Sequence, residues 1–394
     1  MAVVIVGGGI VGLTSAIALR ETGIEATVYD RVDDVAAAQI GAGVGLAFNA
    51  TGVLRRLGLL DRLRTVGAEG KRFEFRNAKG KLLSYWTIPE GEQQFGVTRR
   101  DLHRLLVNAL PAEALVCGKI CTGYEQDESG ATTLFADGTT VRSEALVGAD
   151  GLYSTIRAQA FGDEPPRYAG FSVLRCLVPV NGDDPLPRGI FRMFWGKGAC
   201  IGMYHVATDL VYAFGWWPGP EGVHVERGQR KEALLDRFGQ WSREAPELIE
   251  EMREEEIHQT DIYDRKPVKS WGEGRITLAG DAAHPMTFNM GQGACMGIED
   301  GLVLARSLAS ESDRDVSAAL RRYEQERIRR TTKFTKLSAQ VARMGLVKGA
   351  IGYRLRNVAL RSVGRNIRRG EKMLKFDSEL PSRAPSTGAA STGA

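Results

Sequence analysis

Gly7, Gly9 and Gly12 follow an apolar run, Val3 to Val6, and lead into a helical run, Leu13 to Arg20. A second apolar run, Ala26 to Tyr29, ends at Asp30. Glycines at this spacing let the chain turn tightly out of a strand, bring its backbone against a pyrophosphate, and pack the next helix close to the strand. The helix N-terminus then offers free N–H groups and the positive end of its dipole to the phosphates. Asp30, about 20 residues on, is placed to accept hydrogen bonds from a ribose hydroxyl. A lone glycine turn is weak evidence, but here strand, helix, second strand and terminal acid agree. The spacing predicts a dinucleotide site and leaves NAD and FAD open.

Two later stretches carry related chemistry. Gly148-Ala-Asp-Gly151 precedes Ser154 and Arg157, and Gly280-Asp-Ala-Ala-His-Pro285 precedes Gly291-Gln-Gly-Ala294. Each sets an acid at a strand end before a turn into a helix. Asp281 can accept from a ribityl hydroxyl there. A helix N-terminus at Gly291 to Ala294 can face a flavin ring, where its positive potential stabilises a reduced, anionic flavin.

In this order the three motifs resemble those of the single-component FAD-dependent monooxygenases. That is the group A family of aromatic hydroxylases and epoxidases with the p-hydroxybenzoate hydroxylase fold. The resemblance covers residues 1 to about 345. It implies that Gly7 and Gly12 shape the first turn, that Gly9, Ile10 and Val11 contact the pyrophosphate, and that Asp30 and Arg31 hold the AMP half. It implies Gly43 and Val44 beside the isoalloxazine or ribityl chain, and Arg99 on the ribityl–phosphate part. Asp150 is implied in both FAD and NAD(P)H binding, Gly280 and Asp281 in ribityl binding, and Gly291, Gly293 and Ala294 at the flavin ring edge. The implied chemistry is reduction of FAD by NAD(P)H, addition of O2 at flavin C4a, and transfer of one oxygen atom from that hydroperoxide to an electron-rich carbon. The family commonly has proline seven residues after the acid of the Gly-Asp pair. Here that position is Phe288, which either packs or stacks on an aromatic or isoprenoid substrate; Asn289 beside it matches a common family variant.

The elements that must position these residues follow from the pattern between the motifs. The expected fold class is α/β: a Rossmann-like FAD-binding domain interleaved with a β-sheet substrate domain, plus C-terminal helices. The FAD domain is expected from residues 1–72, 98–165 and 270–345, and the substrate domain from 73–97 and 166–269. A basic helical region is expected over 346–380 and a disordered tail over 381–394. A helix is expected from Ala50 to Leu63, and another opening at Thr98 with Asp101 as capping acid. Residues 168–220 are rich in aromatics, and Phe194, Tyr204, Tyr212, Phe214, Trp216 and Phe288 are the substrate-pocket candidates. Among polar groups, His205, His224, Tyr204, Tyr212 and Arg192 stand in the substrate domain, but none has the spacing of a catalytic base. No catalytic residue is assigned, and His284 reads as structural.

Composition bounds the rest. The 394 residues are 43% hydrophobic and 25% charged, with net charge +4, as in an ordinary globular protein. No apolar stretch approaches a membrane span, and strand 1 begins directly after Met1, so a cytoplasmic protein is expected. The five cysteines have no metal-ligand spacing, and no metal is expected. Residues 321–375 hold 17 Lys/Arg against three Glu, so the basic balance is C-terminal. That region can pack back on the FAD domain or lie on an anionic membrane as a basic amphipathic helix. It could also contact nucleic acid, but no nucleic-acid partner is expected. The expected partners are a small hydrophobic aromatic or isoprenoid substrate and O2, in a monomer or homodimer. Aromatic hydroxylation is the first reading. Epoxidation of an alkene, a flavin-dependent oxidase or reductase, and a membrane-surface protein are the alternatives.

Overall fold

A computed structural model describes residues 1–35, 42–180, 184–310, 315–363 and 372–380. The expected tail, 381–394, lies outside the described residues, as does 364–371 of the basic region. The first strand, Ala2–Val6, is built from β-branched residues buried on both faces, which suits the centre of a parallel sheet. It pairs in parallel with Glu25–Tyr29 on one side and Ala145–Gly148 on the other. Leu115–Val116 and Ile276–Leu278 complete the edges of this five-stranded sheet. The chain thus returns after about 130 residues to lay Ile276–Leu278 beside Ala145–Gly148. That return brings the third motif to the first.

The intervening chain builds a seven-stranded sheet. Its order is His258–Asp264, Arg167–Pro179, Leu210–Pro218, Cys200–Ala207, Ile190–Trp195, Arg72–Asn77 and Leu82–Thr87. A small sheet of Gly43–Leu46, Gln94–Thr98 and Ala68–Gly70 lies between the two large ones. The sequence pattern groups 73–97 with the substrate sheet. The hairpin does join it, but Gln94–Val97 pairs with the small sheet instead, because its register is set by Gly43–Leu46.

Two further expectations need correcting. The helix expected over 50–63 is two helices, Phe48–Arg56 and Leu60–Val66, interrupted at Gly58, whose φ of +71° breaks the helical run. The C-terminal helix, Ala350–Val363, packs mainly against Leu82–Thr87 of the substrate sheet, whereas Phe376 and Leu380 of the same basic region do pack on the core of the FAD unit. Buried Arg356 fixes the helix on that sheet, donating to the carbonyls of Gly196 at 2.9 Å and Trp195 at 3.2 Å. The helix opening at Thr98 forms as Arg99–Val107, with Asp101 N–H donating to Thr98 Oγ1 at 3.0 Å. Among the described residues no helix is long and apolar enough to cross a membrane.

Candidate functional site

The first turn is shaped by two close approaches. Gly7 has φ +110°, and a Cβ there would stand 2.3 Å from the carbonyl oxygen of Ala149. A Cβ at Gly12 would stand 1.9 Å from the carbonyl oxygen of Gly7. Gly9, by contrast, faces open space. It is the N-cap of the helix Ile10–Glu21, which has no side-chain cap and no acid in its first turn. Its N-terminal N–H groups therefore remain for an anion. Ile10 is buried, so its backbone is what it can offer a cofactor. Val11 packs where a Cβ on Gly280 or Gly297 would stand, joining the first motif to the third. Asp30 closes the turn: Gly8 N–H donates to its Oδ2 at 2.5 Å and Val32 N–H to its Oδ1 at 2.9 Å. Arg31 is exposed at the end of that strand.

The later motifs border the same cleft. Arg99 N–H donates to Ala42 at 2.8 Å, tying the Arg99–Val107 helix to the strand that holds Gly43 and Val44. The Arg99 and Asp281 side chains are solvent-accessible, yet each lies deep among protein atoms. Burial pushes the Arg99 guanidinium down and the Asp281 carboxyl up; each opposes the other's shift, and His284 adds its charge to that of Arg99 on Asp281. Asp150 Oδ2 accepts from Thr155 N–H at 2.8 Å, while Oδ1 is buried without a partner in the structure. Gly291 has φ +62° and nothing near its Cβ position. The helix Gly293–Leu308 that follows, with Ala294 in its first turn, has neither a side-chain cap nor an acid there. Asn289, one residue past Phe288, has both side-chain polar atoms buried and unpartnered.

These features fit a flavin dinucleotide. Two uncapped helix ends suit a diphosphate and a flavin edge, open glycines give backbone access, and an acid facing a cation suits ribityl hydroxyls.

Behind the cleft lies a charged network that the sequence reading missed. Arg327 donates to Asp300 Oδ1 at 2.7 Å and to Glu299 Oε2 at 2.5 Å, and all three side chains are fully buried. Arg330 and Asn49 also donate to Glu299, at 2.7 Å each. Asp300 Oδ2 holds the Gly280 N–H at 2.9 Å and His284 Nε2 at 2.6 Å. Burial alone would raise the Asp300 carboxyl, but the charges of His284 and Arg327 hold it down at about 2. The network fixes the Gly280–Asp281 turn against two helices, so His284 is a positioning group. The available signal was an acid pair inside an otherwise apolar helix, which must be matched by buried cations.

The seven-stranded sheet supplies the other wall. Phe171, Phe191, Trp195, Tyr204, Tyr212, Phe214 and Trp216 share one face, where Phe288 packs against them. Phe288 meets Trp216, Phe214 and Phe171 edge-on at centroid distances of 5.2, 5.7 and 6.0 Å. The Gly43 backbone lies against the Tyr212 ring, and Gly45 against Phe191. The near face therefore adjoins the strand expected beside the flavin. Burial raises Tyr204 well above its ordinary range and pushes Tyr212 up to about 12, so both stay protonated near neutrality.

Phe194 is a correction. Strand alternation turns it to the opposite face, among Leu234, Phe238 and Leu248. Arg192 is on that far face too, paired with Glu74 and Glu244 at 3.0 Å each. His205 Nε2 meets Asp184 at 2.5 Å, and half-exposed His224 meets Asp261 at 3.2 Å. Phe171 and Phe191, absent from the pocket candidates, stand where alternation puts them.

The comparisons with known proteins agree with this geometry. A family model described as an FAD binding domain matches residues 1–175 and 249–338. An aurachin C monooxygenase/isomerase from Stigmatella aurantiaca is 34% identical, over 92% of this chain and 94% of that protein. A 3-amino-4-hydroxybenzoate 2-monooxygenase from Streptomyces platensis is 36% identical, over 86% and 87%. The crystal structure of Klebsiella pneumoniae HpxO with FAD and uric acid superposes with a TM-score of 0.87 at 27% identity, covering 95% of this chain and 96% of that one.

Proposed function

The chain belongs to the single-component FAD-dependent monooxygenases, and from that premise we propose that it hydroxylates a small, flat aromatic substrate held on the near face of the seven-stranded sheet. It is an oxidoreductase that uses FAD with NAD(P)H and O2. The observation that carries the substrate reading is the aromatic near face, closed by Phe288 and adjoining Gly43 and Gly45.

In this reading the first helix end, Gly7 to Gly12, binds the pyrophosphate, Asp30 and Arg31 hold the AMP half, and Arg99 and Asp281 orient the ribityl chain. Asp150 lies at its edge with one free carboxylate oxygen. Gly291 to Ala294 hold the ring edge. Bound FAD supplies electron transfer from NAD(P)H and activation of O2 for delivery of one oxygen atom. The rings of Tyr212, Phe214, Trp216 and Phe288 hold the substrate and exclude water, which limits loss of reducing equivalents as H2O2. Residues 1–72, 98–165 and 270–345, with Gln94–Val97 added, form the cofactor unit in this reading.

The test is a screen of phenols, quinolones and indoles for stimulated NAD(P)H consumption under labelled O2. Hydroxylated product carrying one labelled oxygen is expected. Label-free product would overturn the monooxygenase reading of this site, and an epoxide would replace hydroxylation with alkene oxidation.

A specific surface favours a second, additional role. Ile351, Leu355 and Val358 are 77%, 66% and 59% exposed, at helical spacing on Ala350–Val363. Lys348, Arg354 and Arg361 are exposed around them. This stripe suits an anionic lipid surface. Wild type is expected to sediment with phosphatidylserine-containing vesicles, and a variant with serine at all three positions is not. Equal sedimentation, or a dimer lost only in the variant, would reject the membrane role.

A further inference from the structure

On the near face a strand-borne cation, Arg175, stands beside the rings. Arg175 lies in the strand Arg167–Pro179, directly across from Phe214 on one neighbouring strand and His258 on the other. Val173 and Leu177, two residues either side, belong to the near-face cluster, whereas Leu174 and Cys176 belong to the far one. Alternation therefore fixes Arg175 on the side of the proposed substrate. Its charge is felt by Tyr212 on the aromatic wall and by Arg99 at the cofactor cleft.

Its surroundings differ from those of the sheet's buried arginine, although Arg175 itself is only partly buried. Arg192, on the far face, is matched by two carboxylates. Arg175 Nε is buried with no hydrogen-bond partner in the structure. Among the described residues no carboxylate pairs with Arg175. Arg99, on the cofactor side, repels it. A buried guanidinium donor left unmatched is unfavourable unless something outside the chain matches it. Its planar fork suits an oxygen anion lying in the plane of a neighbouring ring system.

We propose that Arg175 is the substrate-recognising residue of this site, and that it binds a ring-conjugated oxyanion, a phenolate or the equivalent hydroxy-heteroaromatic anion. This rests on the reading of the near face as the substrate wall. The hydroxyl proton passes to bulk water as the substrate binds, and the arginine holds the anion left behind. That anion donates electron density into the ring, which favours attack by an electrophilic oxygen. The chain then needs no protein base at the phenol, in keeping with two near-face tyrosines that both stay protonated.

The experiment titrates FAD-loaded protein with 4-nitrophenol and with its methyl ether, 4-nitroanisole, followed by the probe's own absorbance. Wild type is expected to bind the phenol about tenfold or more tightly than the ether. It should also hold it as the yellow phenolate at a pH where the free probe is mostly protonated. Arg175→Met should bring the two affinities together and lose the phenolate signal, and Arg175→Lys should restore part of both. FAD content should be unchanged in both variants. An equal preference in wild type and Arg175→Met, or no preference in wild type, would overturn the proposal. Loss of FAD from Arg175→Met would assign the arginine to the cofactor and also overturn it. A wild type that takes up no flavin fails the monooxygenase reading separately, because the probe reports its binding with or without flavin.

Discussion

The two faces of the seven-stranded sheet are made by the same strands and differ in nearly every physical respect. The far face is aliphatic at its centre, with Leu174, Ile201, Leu234 and Leu248. Its charges are matched: Arg192 with Glu74 and Glu244, His205 with Asp184. The near face is aromatic and holds Arg175 unmatched. A sheet that needed only to be stable would satisfy both faces alike. The difference marks the far face as structure, and the near face as the side that awaits a flat, oxygen-bearing partner.

The largest expected effect comes from breaking a matched charge on the far face. Arg192→Met removes one of the three arginines around Glu74, which is buried at 4% exposure, and with it the cation that faces Glu244. The expected loss is about 2–4 kcal/mol of stability, read as a lower urea midpoint, with the preference for a phenol over its ether intact. A change in that preference at preserved stability would break the contrast between the faces.

The matched network behind the cleft gives the next effect, through pH. Asp300 is held at about 2, below its ordinary 3.8. Its contribution is therefore complete above pH 4 and is lost as the pH falls through about 2. The full contribution is about 2 kcal/mol. Urea midpoints measured between pH 5 and 3 should begin to fall below pH 4, and Asp300→Asn should flatten that part of the profile. An equally steep fall in the variant would show that other groups govern acid stability.

How much of this was legible beforehand depended on range. The Gly7–Gly12 turn, Asp30 and the two later motifs were legible because local spacing dictates strand, turn and helix termini. The family resemblance then supplied what local pattern could not, the common cofactor of three motifs far apart in the chain. Phe194 was misplaced because the aromatic richness of 168–220 was read without following alternation along Ile190–Trp195. With Phe191 and Trp195 on one face, Phe194 had to be on the other. Arg175 gave no signal: its lack of a partner is defined only by strands 40 and 80 residues away, at Phe214 and His258. The Glu299–Asp300–Arg327 network was half legible, as acids inside an apolar helix. The packing of Ala350–Val363 on the substrate sheet depended on buried Arg356, which composition counts only as one more basic residue.

The smallest change in stability gives the most direct test of the central claim, that the substrate binds on the near face and not the far one. Phe194→Leu and Phe214→Leu remove similar volume from opposite faces of the sheet, and each is expected to cost about 1–2 kcal/mol. The measurement is the fraction of NAD(P)H-derived electrons that appear as H2O2 instead of hydroxylated product, in the two variants and wild type. Phe214→Leu is expected to leak severalfold more H2O2, while Phe194→Leu matches wild type. Equal leakage in the two variants, or leakage from Phe194→Leu alone, would contradict it.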